Sequence, residues 1–278
     1  MGLVSIADAP PILVWSIIAF IGAVAGVGGG LLGVGGGLII IPLLTLTFGP
    51  DQHIYQLIGL IAACAIGLSS ALNHLRSGAV ITPLAWRIIA WSAPCAALGA
   101  FASFQIPGRP LRLTFAAMML GVAILEGRRL TLRLADGRDR KPGREAEGAW
   151  IVGIPMGLLS GLLGVGGGII AVPILAMGLK TPMRRAVATS AVAVLGTVAV
   201  AALSTAAISA GVLGTGGHAA TASTEAPVPI WLWAITMGLV GAGSAVVGAR
   251  LTQVIPVRGL KICFLGILLF FAWRMATA

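Results

Sequence analysis

A chain of 278 residues is long enough for one or two soluble domains, but 58% of it is hydrophobic and only 9% is charged, against about 25% in soluble proteins. Twelve of the 26 charged residues lie between Glu126 and Glu147, and too few remain elsewhere to solvate a surface. With a mean hydropathy of +1.04 the chain reads as an all-α polytopic membrane protein, and its net charge of +10 reads as a topology signal rather than a nucleic-acid footprint.

In chain order, the N-terminal MGLVSIADAPP has no basic region, so the first apolar run is expected to be a retained membrane segment rather than a cleaved signal. Apolar runs follow at 11–29, 30–48, 55–75, 80–104 and 110–125. After the charged stretch come runs at 149–163, 164–179, 186–210, 230–251 and 259–273. A full span needs about 20 residues. The first two runs of the second half share only 31, so the first two segments of each half are expected to form a short hairpin bent at glycine.

The two sets of five are related. LLGVGGGLIIIPLL at 31–44 matches LLGVGGGIIAVPIL at 162–175, an offset of 131. Further on, Ile106-Pro107 matches Ile255-Pro256, an offset of 149; the extra residues fit the stretch around 211–227. The expected organisation is a first transmembrane repeat at 1–127, a basic cytoplasmic linker at 128–148 and a second transmembrane repeat at 149–278. Seven of the 18 Lys and Arg lie between Arg128 and Arg144, which places the linker inside. Counting outward from it, the loop with Arg76 is cytoplasmic and the loop with Asp51 external. Lys180, Arg184 and Arg185 are cytoplasmic, and the 211–229 loop with Glu225 is external. Matching loops thus fall on opposite sides, as two inverted five-segment repeats require, about ten membrane segments in all. Trp15, Trp150, Trp231, Trp233 and Trp273 lie near segment ends, as an interfacial belt would place them.

Inverted repeats put a solute site near the midplane, and paired Gly/Pro-interrupted segments are its sequence pointer. Here they are Gly33, Gly35, Gly36 and Gly37, and Gly164, Gly166, Gly167 and Gly168. Pro42 and Pro173 follow as structural breakers. Successive glycines can turn backbone N–H groups toward an anion, and a helix starting there adds its positive end. The same glycines also suit close helix packing, and both readings stand at this point.

The duplicated GxGGGxxxxP, the segment ending in His74-xxx-Gly78 and the helix start Met183-Arg184-Arg185-Ala186-Val187-Ala188-Thr189-Ser190 resemble the TauE/SafE family, over about residues 12–273. The resemblance implies a multi-pass bacterial inner-membrane transporter that exports sulfite, sulfoacetate or a related sulfur oxyanion or organosulfonate. Thr189 and Ser190 are candidate ligands, but the aligned first-half residues are Ile58 and Gly59, so the hydroxyl pair occurs once. Asn73 and His74 are further candidates; capping the end of their helix is the alternative.

The expected partners are the lipid bilayer and a small anionic substrate, with no nucleic acid and no cofactor; the sequence leaves room for a homo-oligomer. Walker A, HExxH and GxSxG motifs are missing, which argues against an enzyme. A non-transporting membrane assembly partner is the main alternative, and a membrane-embedded enzyme a further one. None of the eight acidic residues falls inside an apolar run; Asp51 and Glu126 stand at edges. That predicts anion export driven by the membrane potential rather than by protons.

Overall fold

The computed structural model describes residues 10–33, 35–49, 51–131, 148–210, 230–254 and 257–277. Within them lie ten helices: α1 Pro11–Leu32, α2 Gly37–Phe48, α3 Gln52–Arg76, α4 Thr82–Gln105, α5 Gly108–Thr131, α6 Ala149–Leu163, α7 Gly168–Met177, α8 Met183–Ser209, α9 Ile230–Val254 and α10 Val257–Thr277. Among the described residues no strand occurs. Six helices are long and apolar enough to cross a membrane: α1, α3, α4, α5, α8 and α9. Phe20, Trp86, Leu98, Leu203 and Leu239 project outward while each helix also buries apolar residues. Helices that are apolar all round belong in lipid.

Two expectations need correction. The first two segments do not make a short hairpin in the first half, because α1 runs for 22 residues, about 33 Å. Pro11 opens it at a position where no N–H is needed, and nothing interrupts it before Gly33. The short helices are α2, α6 and α7, of 12, 15 and 10 residues. Trp233 is no interfacial anchor: it is 7% exposed, and its ring packs against Phe48 with centroids 5.0 Å apart. Trp150, Trp231 and Trp273 are exposed, as a belt requires. The 211–229 loop and most of the basic linker lie outside the described residues.

The packing follows one plan. α1 lies along α9, and α6 along α4. α3 packs on α8 and α9, and α8 on α3 and α4. α2 sits against α1 and α3, α7 against α6 and α8, and α5 against α10. Exchanging α1–α5 with α6–α10 turns each of these pairings into another of the set or onto itself.

Small residues make the closest pairings. Gly22, Gly26 and Gly30 recur at four-residue spacing on α1, and Gly153, Gly157 and Gly161 match them on α6 at the 131 offset. A Cβ at Gly26 would run into Gly241 O, and one at Gly157 into Ser92 O. Backbone therefore touches backbone along both helix pairs, the small-xxx-small packing of membrane helices. Ser244 Oγ adds a bond to Ala23 O at 2.9 Å across α1 and α9.

Candidate functional site

α1 ends because Gly33 enters the left-handed region at φ 67°, its N–H bonded to Gly29 O at 2.9 Å. α6 ends the same way at Gly164, φ 74°, bonded to Ser160 O at 2.9 Å. Gly35 and Gly36 follow at φ 86° and 82°, and Gly166 and Gly167 at 87° and 68°. A side chain in this region costs about 1–2 kcal/mol per residue, which is why glycine stands at all six. Close packing of straight helices does not call for such backbone; a turn that re-aims N–H groups does.

At Gly36–Gly37 and Gly167–Gly168 a left-handed residue leads into a right-handed helix, a pairing that makes a concave array of N–H groups. The first backbone bonds of α2 run from Ile39 and Ile40 to Gly36 O at 3.0 and 3.1 Å. Those of α7 run from Ile170 and Ala171 to Gly167 O, both at 3.1 Å. The N–H groups of Gly37, Leu38, Gly168 and Ile169 thus have no intrahelical acceptor, and the positive end of each helix dipole lies there. Pro42 and Pro173, buried inside α2 and α7, withhold the N–H that would bond one turn back.

The eight motif glycines are buried, and the two clusters meet. A Cβ on Gly37 would lie 2.7 Å from Gly164 O and 3.3 Å from Val165 Cα. Gly35 faces Val194 and Ala63, near the middles of α8 and α3. Each cluster also rests on the opposite half. A Cβ on Gly33 would sit 2.9 Å from Val187 O, and one on Gly164 would sit 3.0 Å from Gln56 O.

Ser190 belongs with the first cluster: it is fully buried and its hydroxyl donates to Gly33 O at 3.1 Å. Thr189, also fully buried, accepts from the Ile81 N–H at 3.0 Å and so holds the start of α4. Asn73 and His74 are not brought to the glycines. They lie ten residues along α3 from Ala63, about 15 Å by helix rise. Asn73 donates to Ser69 O at 2.8 Å; His74 Nε2 is buried without a hydrogen-bond partner.

Several polar groups escaped the sequence reading. Gln56 Nε2 donates to Gly161 O at 2.6 Å and pins the last turn of α6 to α3. Gln52, one turn earlier and 4% exposed, has no partner for either amide atom. Ser92 Oγ and Thr197 Oγ1 lie 2.6 Å apart, and Ser160 Oγ is buried without a partner. The usable signal was comparison of the halves: Gln56 aligns with Val187, and Ser160 with Gly29.

Comparison with known proteins adds relatives. The family model described as sulfite exporter TauE/SafE matches residues 18–275. The chain is 26% identical to the probable membrane transporter protein MamO of Paramagnetospirillum magneticum, over 94% of this chain and 44% of that protein. It is 27% identical to MamO of Magnetospirillum gryphiswaldense over the same shares. A probable membrane transporter protein of Methanocaldococcus jannaschii is 28% identical over 64% of this chain and 65% of its own length. The chain thus spans less than half the length of the MamO proteins it matches. No solved structure matches it.

Proposed function

Because the chain belongs to the sulfite exporter TauE/SafE family, we propose that it is a multi-pass transporter of the bacterial inner membrane, not an enzyme, and that it exports a small anion. The substrate class is a sulfur oxyanion or organosulfonate, such as sulfite or sulfoacetate. The relatives' names as probable membrane transporters support the transport part of this reading.

The observation that carries it is the contact between the two glycine clusters, Gly37 against Gly164 O at 2.7 Å for an added Cβ. The start of α2 meets the end of α6 in a buried region, and the N–H groups that open α2 and α7 have no acceptor in their own helices. That suits an anion bound by backbone donors, without a cation that would hold it too tightly to leave. The motif glycines pack closely, and they also do something the other packing glycines do not. Gly26 and Gly157 bring straight helices together, whereas Gly36 and Gly167 hold left-handed backbone. An assembly partner whose glycines only pack would need the first kind alone.

The helix pairings that recur on exchanging the two sets of five support a repeat of two halves; an odd number of crossings per half makes it inverted, and the basic linker then lies inside with both ends outside. In such a repeat the site sits near the membrane centre and opens to each side by equivalent motions. Ser190 then steadies the first cluster, Thr189 fixes the adjacent start of α4, and Asn73 and His74 line the cytoplasmic approach.

The test is flux. Purified protein in liposomes is loaded with sulfite, sulfoacetate, taurine or thiosulfate, and efflux is followed without any partner protein. Efflux of at least one above protein-free liposomes is expected. Tight, well-folded protein that moves none of them contradicts the proposal and favours an assembly role.

A further inference from the structure

We propose that the oxyanion is seated asymmetrically, with the hydroxyls of Ser92, Ser160 and Thr197 gripping its oxygens beside the start of α7; this rests on the anion-export reading above. The seat takes a –SO3 head, the group shared by sulfite and organosulfonates.

Ser160 gives the first indication. It is fully buried in the last turn of α6, and its hydroxyl has no hydrogen-bond partner. A hydroxyl buried unpaired is unfavourable, so a partner absent from the chain itself is implied. Ser92 on α4 and Thr197 on α8 are fully buried as well, with their oxygens 2.6 Å apart. Each also has a carbonyl of its own helix within reach, Thr197 that of Ala193 at 2.8 Å and Ser92 that of Ile89 at 3.3 Å, so one hydroxyl donates to its helix while the other donates across. Those carbonyls also serve the helix ladder, so a hydroxyl can rotate away from them toward a ligand.

The two halves tell where these groups sit. At the 131 offset Ser160 matches Gly29 and Thr197 matches Ile66; at the 149 offset Ser92 matches Gly241. Around the first glycine cluster these three positions adjoin, Gly29 and Ile66 from the first half and Gly241 from α9. A Cβ on Gly29 would lie 2.9 Å from Gly36 N and 3.0 Å from Ile66 Cγ2, and one on Gly241 would lie 2.7 Å from Ile66 Cδ1. Carried over to the second cluster, the same relation sets Ser160 of α6 next to the Gly167 N–H, with Thr197 of α8 and Ser92 of α4 alongside. The observed Ser92–Thr197 bond agrees with it.

The halves thus share a backbone and differ in chemistry. Around Gly36 stand glycine, isoleucine and glycine; at the equivalent positions of the second cluster the chain carries three hydroxyls. Each hydroxyl offers one hydrogen, and the start of α7 adds backbone N–H groups. A –SO3 head presents three charged oxygens in a tripod that several convergent donors can share, and bonds to a charged acceptor are the strong kind. The first cluster then contributes backbone donors alone.

The experiment uses the full chain in liposomes, with sulfite and methanesulfonate as probes and apparent KM as the readout. Ser160→Ala and Thr197→Val are each expected to raise KM for both probes about tenfold or more, the loss of one hydrogen bond to a charged group. Ser103→Ala removes another buried hydroxyl, bonded within α4 to Ala100 O, and is expected to leave KM unchanged. Ser160→Thr and Thr197→Ser keep the hydroxyls and are expected to retain most of the affinity. Sulfite should also raise the thermal unfolding midpoint of the wild type and not that of Ser160→Ala. Wild-type KM in both Ser160→Ala and Thr197→Val, or equal losses in the variants that keep the hydroxyls, would overturn the seat and leave export standing. A wild type that moves neither probe but moves another of the anions named above overturns the seat alone; one that moves none of them overturns the export reading, and the seat with it.

Discussion

Gly36→Ala and Gly167→Ala make the same chemical change at matching positions with different surroundings. Both glycines have positive φ, 82° and 68°, so each alanine costs about 1–2 kcal/mol in backbone conformation. The new methyl then meets different neighbours. At Gly36 the nearest atom is Ile66 Cδ1 at 2.7 Å, the tip of a side chain that can turn aside. At Gly167 it is the Met156 backbone oxygen at 2.5 Å, which moves only with α6. Overpacking of that kind adds about 1–3 kcal/mol. Gly167→Ala should therefore unfold at lower temperature than Gly36→Ala, by the greater part of that difference. Flux per folded molecule should fall to background in both, because either alanine re-aims the N–H groups that open α2 or α7. Thermal unfolding in detergent and efflux from liposomes, normalised to folded protein, are the two assays. Normal flux in both variants would refute the backbone-donor site. Gly36→Ala proving the less stable would refute the packing argument.

Topology is tested by a cysteine at Ser223 in a variant lacking Cys64, Cys95 and Cys263: it should react with an impermeant maleimide from outside the cell, and labelling only from inside contradicts the inversion. Gln56→Leu removes the bond to Gly161 O and should lower stability by about 1 kcal/mol, while reducing flux more than stability because Gln56 also abuts Gly164. Unchanged flux would make Gln56 a packing residue alone.

The sequence exposed what repeats and what breaks. Forty glycines form a noisy background, yet GVGGG followed by proline stands out because it occurs twice at one offset. The helix ends at Gly33 and Gly164 fall inside those motifs. Less visible was the length of α1: apolar and glycine-rich through its last turn, it gives no composition change before the left-handed residue. The packing glycines Gly22, Gly26 and Gly30 carry a small-xxx-small spacing, but among forty glycines it stands out only beside the matching Gly153, Gly157 and Gly161. Trp233 shows a further limit; a tryptophan near a helix start is an interfacial anchor or a core residue depending on whether Phe48 lies beside it. Asn73 and His74 announced polarity, but their distance from the glycines follows from how α3 runs past α2 and α8. Ser92, Ser160 and Thr197 are ordinary residues in a single chain, and they gain meaning only against Gly241, Gly29 and Ile66 in the other half.

The energetics of the proposed export rest on the same residues. Asp51 is spent on the N-terminus of α3, accepting from the Ile54 N–H at 3.4 Å, and the glycine site itself is made of uncharged groups. With the inside negative, each negative charge leaving the cell gains about 2.3 kcal/mol per 100 mV, and a divalent oxyanion about twice that. The most direct measurement is sulfite flux in liposomes with a potential imposed by potassium and valinomycin and no pH gradient. Flux that rises with the potential, in the direction that moves negative charge toward the positive side, is the predicted result. Flux that ignores the potential and follows an imposed pH gradient would contradict it and turn attention to His74 and Asp51 as proton carriers.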